Sequence, residues 1–124
     1  MDNCPFCDII NKKPLIEISK YWAVFEDEYP VSPGHCLIVP NRHVESILEL
    51  TADELKTLYE VIVNTRHYIK IVRNPDGFNI GVNEGRAAGQ TVPHLHIHII
   101  PRYNGDMEDP RGGVRGVIPE KQKY

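Results

Sequence analysis

The sharpest alternation of apolar and polar positions lies late in the chain, in His94-Leu95-His96-Ile97-His98-Ile99-Ile100. Successive side chains of a strand point to opposite faces, so this run predicts a strand that sends Leu95, Ile97 and Ile99 into a core and all three imidazoles to the other side. Shorter apolar runs at 16–19, 22–25, 35–39 and 78–82 predict further strands, with turns at 26–30 and at Pro33-Gly34. Cys36 falls inside one of these runs and reads as a small core residue. Between 35–39 and 78–82 the period changes. Leu55, Leu58, Tyr59, Ile62, Ile69 and Val72 keep helical spacing behind Thr51-Ala52-Asp53-Glu54, a capping box. One long helix is therefore expected over 51–72, with that stripe as core, ended by Asn74-Pro75-Asp76-Gly77. A short helical turn is expected over 8–13, ended by Pro14. After Pro101 the chain becomes rich in Gly, Pro and charge with no period, which predicts an extended tail over 104–124 that needs another surface to order it. The sum is an α+β fold: an antiparallel sheet crossed by one long helix, in a single domain over 1–124 with its core at about 4–103.

Three imidazoles on one strand face add no apolar burial, and two chemistries explain them. One is a metal site, since an HxH pair with a third ligand suits zinc. Against a single three-histidine site, residues 94 and 98 lie roughly 13 Å apart along an extended strand. The other is covalent catalysis, in which an imidazole with one nitrogen fixed attacks phosphorus through the other. That reading needs a neighbouring donor and a cradle for negative charge. His98 lies one pleat from His96, and the small-residue loop Asn83-Glu84-Gly85-Arg86-Ala87-Ala88-Gly89-Gln90-Thr91 precedes the strand. Gly89 permits close backbone approach, and the Gln90 and Thr91 side chains can donate to a phosphate. At the other end, Cys4-Pro5-Phe6-Cys7 is a CxxC. It can be a redox pair or half a zinc site, and no strand precedes it as a thioredoxin-like motif requires.

Composition narrows the classes. The chain has 124 residues, 41% of them hydrophobic and 25% charged, the balance of one globular domain. A net charge of −3 argues against a general grip on nucleic acid, but not against small phosphorylated ligands. No apolar run approaches ~20 residues, so no membrane span is expected. The start Met1-Asp2-Asn3-Cys4-Pro5 does not read as an export signal, and three cysteines do not make a disulfide framework. A reducing cytoplasm is the expected compartment.

The motif His94-Leu95-His96-Ile97-His98-Ile99-Ile100, with Gly89-Gln90-Thr91 before it, resembles the signature of the histidine-triad (HIT) family. The resemblance extends through Val31-Ser32-Pro33-Gly34-His35 and Ile38-Val39-Pro40-Asn41-Arg42-His43. It implies a homodimeric nucleotide hydrolase or transferase acting at the α-phosphate of an AMP-containing substrate. In that pattern His96 is the nucleophile that forms a nucleotidyl-histidine. His98 binds the α-phosphate and assists the leaving group, and His35 orients the strand. Asn83, Gly89, Gln90 and Thr91 match phosphate-contacting positions. Asp27 matches the acid that grips the ribose, and Phe6, Ile9 and Phe25 match the base wall. Some members carry a structural zinc, and the matching positions here are Cys4, Cys7, His43 and His94. The loop and the end of the histidine strand look closer to dinucleoside polyphosphate hydrolases, whereas Asn83-Glu84-Gly85 and Asp27 look closer to phosphoramidases. A nucleotide-sensing module with little turnover is the non-enzyme alternative. Arg102, Arg111 and Arg115 are expected as solvated surface charges rather than polyphosphate contacts.

Overall fold

The computed structural model describes residues 3–12 and 15–124. Helix α1 (Pro5–Lys12) leads into strands β1 (Glu17–Ile18), β2 (Trp22–Glu26) and β3 (Cys36–Pro40). Helix α2 (Ala52–Arg73) follows, then β4 (Gly77–Val82) and β5 (Ile97–Arg102). The five strands form one sheet, antiparallel as expected, in the order β1-β2-β3-β5-β4.

Strands β2 and β3 are buried on both faces. Trp22, Val24, Cys36 and Ile38 face the layer that holds Leu58, Val61 and Ile69 of α2, together with Leu95, Ile97 and Ile99. Ala23, Phe25, Leu37 and Val39 face the other way, under Cys4 and Phe6 at α1. Each fully buried aliphatic in such a layer contributes about 1.5–3 kcal/mol. Two covered faces explain why β2 and β3 read as unbroken apolar runs rather than alternating ones.

Helix α2 starts where the capping box places it, with the Thr51 hydroxyl accepting from the Glu54 N–H and the Glu54 carboxylate accepting from the Thr51 N–H. Glu54 is buried and also accepts from Arg42 at 2.8 Å. The guanidinium beside it holds its carboxyl below the usual carboxylate range. The expected core stripe needs correction. Leu58 and Ile69 are buried with Val61 and Thr65, but Leu55, Tyr59 and Val72 are exposed. The apolar residues of α2 cover more than one face, and only one faces the sheet.

Two other boundaries move. Helix α1 begins at Pro5, suited to a first turn because it has no N–H to leave unpaired, so it starts three residues earlier than expected. Lys13 and Pro14, where that turn was to end, lie outside the described residues. Strand β5 begins at Ile97 rather than His94, because both ladders stop there: Ile38 pairs with Ile97 on one side and Val82 with Ile97 on the other. Ahead of the strand the chain bends at 92–94, and the Leu95 N–H is tied to the Val44 carbonyl. The alternation survives, with Leu95, Ile97 and Ile99 in the core.

The tail is not structureless. It forms 3₁₀ turns at Gly113–Val117 and Pro119–Lys121, the first packed beside β4. Tyr103 donates its hydroxyl to the Pro33 carbonyl. Arg102 is held by Asp106 and by Asn79 at 2.7 Å, Arg111 pairs with Asp109, and Arg115 covers the Tyr124 ring. Among the described residues no helix is long and apolar enough to cross a membrane.

Candidate active site

A cavity of about 510 Å³ opens on the sheet face beside α1. Its lining includes Phe6, Ile9, Phe25, Asp27, His35, Asn83, Gly89, Thr91, His96 and His98. It brings together every expected catalytic residue and every expected substrate residue except Gln90. Tyr29, Val31 and Val92 also line it. Sequence reading missed these three because an apolar or aromatic residue in a turn carries no periodic signal.

The Gln90 amide has other partners. Its oxygen accepts from the Gly85 N–H at 2.9 Å and its nitrogen donates to the Glu45 carbonyl at 3.0 Å. It closes the 85–90 loop on itself and ties it to the neighbouring loop, so its side chain is not a free phosphate donor. Gly85 and Gly89, at φ +88° and +92°, provide the left-handed corners that this closed loop requires.

Backbone partners set the proton positions of the histidines. His96 Nδ1 lies 2.9 Å from the His94 carbonyl, which only accepts, so Nδ1 carries the proton and Nε2 is the free lone pair. The ring is 6% exposed, and Phe6 meets it edge-on at 5.0 Å. His35 Nδ1 lies 3.0 Å from the Val31 N–H, which only donates, so the His35 proton is on Nε2. Two acceptors face that proton: His98 Nδ1 at 3.0 Å and Asp27 Oδ2 at 3.4 Å. Only the first is within good hydrogen-bond range. His98 Nδ1 is therefore an acceptor and its Nε2 a donor. Burial lowers the His35 pKa, against the pull of Asp27. Burial, helped by the neighbouring His96 and His35, lowers that of His98 to about 4, so it stays neutral near pH 7. The Asp27 Oδ1 is held by the Tyr29 N–H at 2.8 Å.

A second cluster sits behind the first. Cys4 Sγ lies 3.4 Å and Cys7 Sγ 3.6 Å from His94 Nδ1. His43 Nδ1 is 3.3 Å from Cys7 Sγ and 3.2 Å from His94 Nδ1. The other nitrogen of His94 donates to the Pro40 carbonyl at 2.9 Å, so Nδ1 presents a lone pair to three further donors. Four converging thiol and imidazole groups form a donor set that could hold a metal ion. Their spacings match the edges of a tetrahedron with zinc bond lengths, about 3.3 Å for N···N and about 3.6 Å for S···N. The Cys2His2 set therefore fits zinc.

Asp27, His35 and His98 also lie close enough together to share an ion. The His35 tautomer argues against it: Nε2 carries the proton for as long as Nδ1 accepts from Val31.

Buried imidazoles of set tautomer, facing a cavity rimmed by a glycine-cornered loop, define a site for chemistry on a small phosphorylated ligand. A family model described as HIT domain matches residues 10–105, and the chain belongs to this family. It is 41% identical over 108 residues to an uncharacterized HIT-like protein of Methanocaldococcus jannaschii, covering 85% of this chain and 83% of that one. It is 40% identical over 91 residues to the asymmetrical bis(5'-nucleosyl)-tetraphosphatase of Schizosaccharomyces pombe, covering 73% of this chain and 50% of that enzyme. The chain thus spans about half the length of that relative. The crystal structure of a Zn-bound histidine triad family protein from Mycobacterium smegmatis matches with a TM-score of 0.76 at 30% identity, covering 86% of this chain and 80% of that one.

Proposed function

We propose that the protein is a nucleotidyl hydrolase that cleaves at the α-phosphate of AMP-containing substrates through a covalent intermediate on His96. The observation that carries this reading is the pair of tautomers: a bare His96 Nε2 beside a protonated His98 Nε2, both set by neutral neighbours. The base lies against Phe6, Ile9 and Phe25, and Asp27 binds the ribose. The His96 Nε2 lone pair attacks the α-phosphorus, forming a P–N bond while the bond to the leaving oxygen breaks. The His98 Nε2–H donates to the oxygens on which charge develops. Thr91, Asn83 and the Gly89 backbone bind the phosphate. The proton stays on His96 Nδ1, donated to the His94 carbonyl, and this bond supports the charge that the ring gains. Water then attacks the phosphorus, its proton passes to solvent, the P–N electron pair returns to His96 Nε2, and AMP leaves with His96 restored.

Dinucleoside polyphosphates of the diadenosine tetraphosphate type are the substrates this reading favours, supported by the name of the Schizosaccharomyces pombe relative. Asn83 at the phosphate loop supports nucleoside phosphoramidates as a second substrate class. Bound by Cys4, Cys7, His43 and His94, zinc would cross-link α1 to the start of the histidine segment as a structural ion. The whole chain acts as one domain. We place it in the cytoplasm, where its three free thiols stay reduced. It pairs as a homodimer through the exposed apolar residues of α2, Leu55, Tyr59 and Val63, and through the edge strand β4 with its exposed Ile80.

The test is multiple-turnover release of AMP from diadenosine tetraphosphate and from adenosine 5'-phosphoramidate, by the intact protein and by His96→Ala. Turnover that His96→Ala abolishes supports the covalent mechanism, and the faster substrate names the leaving group. Tight AMP binding with no turnover of either substrate replaces the enzyme with a nucleotide-binding module.

A further inference from the structure

The cavity that holds His96 does not end at the phosphate loop. A second groove, of about 660 Å³, lies on the other side of Gly89 and Thr91, which line both. Its walls are Arg86, Gln90, Glu45 and Pro93. The loop between the two spaces is braced at three points. Gln90 ties it to Gly85 and to Glu45, and the Glu84 carboxylate accepts from Ser46 Oγ at 2.6 Å and from the Ile47 N–H. Arg86 stands on the short turn Arg86–Ala88 between Gly85 and Gly89. It is exposed and makes no ion pair among the described residues.

The acids nearby are mostly engaged. The Glu84 carboxylate caps the 46–47 turn, and that of Glu49 accepts from the Glu45 and Ser46 N–H groups. Glu45 borders the groove itself, so the attraction for an anion is local to Arg86. That suits phosphates close to the cleaved bond better than a long polyanion.

We propose that this groove receives the phosphates of the leaving group, with Arg86 as the residue that recognises them. The inference rests on the nucleotidyl-hydrolase reading and deepens it. The adenylyl half occupies the His96 cavity, the scissile bond lies near the Gly89–Thr91 lip, and the β-phosphate and those beyond it pass over the lip to Arg86. An amine leaving group carries no phosphate and makes no use of the groove. Arg86 thereby sets preference between polyphosphate and phosphoramidate substrates without touching the reacting phosphorus.

The experiment measures kcat/KM for diadenosine tetraphosphate and for adenosine 5'-phosphoramidate with the intact protein, Arg86→Ala and Arg86→Lys. Loss of one charge-assisted phosphate contact is expected to lower kcat/KM for the tetraphosphate about tenfold in Arg86→Ala, leave the phosphoramidate within about twofold, and be partly restored in Arg86→Lys. Equal losses on both substrates, or none on either, overturn the proposal. If the intact protein turns over neither substrate, the hydrolase reading fails on its own, and the groove is judged by equilibrium binding. A non-hydrolysable tetraphosphate analogue should then lose its advantage over AMP in Arg86→Ala. An unchanged ratio of the two affinities overturns the groove as well.

Discussion

The chain of bonds from Val31 through His35 to His98 makes a prediction that two substitutions can separate. In His35→Asn the side-chain oxygen takes the place of Nδ1 and keeps an acceptor for the Val31 N–H, while the donor to His98 is lost. In His35→Gln the amide nitrogen takes the place of Nε2 and keeps that donor, while the acceptor for Val31 is lost. The bonds are both 3.0 Å long in the native site, so neither is the weaker by geometry. Leaving His98 Nδ1 without a donor strands a buried acceptor or moves the proton to Nδ1, which strips the donor from Nε2. An unsatisfied buried polar group costs about 1–3 kcal/mol, so His35→Asn should lower kcat/KM about 5- to 150-fold. His35→Gln should keep activity within about threefold and cost less than about 1 kcal/mol of stability, because Val31 is exposed and water can accept from its N–H.

Long-range ¹H–¹⁵N NMR correlations of the imidazoles read the tautomer directly. The intact protein and His35→Gln are expected to show His98 protonated on Nε2, and His35→Asn a mixture or the Nδ1 form. Equal loss of activity in the two variants, or an unchanged His98 tautomer in His35→Asn, refutes the relay and reduces His35 to a packing residue.

Other outcomes follow from the same geometry. Elemental analysis should find about one zinc per chain in the intact protein and much less in Cys4→Ser, whose melting temperature should fall because α1 loses its tether to His43 and His94; an intact protein without zinc removes the metal centre. Phe6→Ala removes the ring that meets His96 at 5.0 Å and Phe25 at 5.7 Å, and should weaken AMP binding by roughly tenfold, read by calorimetry. Acid should destabilise the fold through His98: its folded pKa of about 4 lies below an unfolded value near 6.5, so the unfolded chain takes up the proton first. Its contribution is full above the unfolded value and is lost as pH falls towards about 4, a change of about 3 kcal/mol. Urea unfolding of the intact protein and His98→Gln at pH 7 and pH 4.5 checks it, the variant showing the flatter dependence.

What was legible in the chain and what was not divides along a physical line. Alternation reports which face a residue occupies, so it places Leu95, Ile97 and Ile99 in the core without reference to their partners. Alternation does not report where pairing stops, which depends on the ends of the two neighbouring strands, so His94 to His96 read as strand. Helical spacing likewise marks α2 but not which of its apolar faces meets the sheet, which is why Leu55, Tyr59 and Val72 share the spacing of the core stripe yet lie exposed. The cysteine and histidine cluster joins residues up to 90 positions apart, and only resemblance to a family brought them together. Proton positions were wholly beyond the sequence, because they follow from which backbone group each ring nitrogen meets. They also explain why the three imidazoles do not work as one site. The His94 side chain turns to the Cys2His2 cluster while its carbonyl holds the His96 proton. The cluster that fits zinc and the His96 ring are thus joined through one residue: whatever anchors the His94 imidazole also anchors the carbonyl that leaves His96 Nε2 bare.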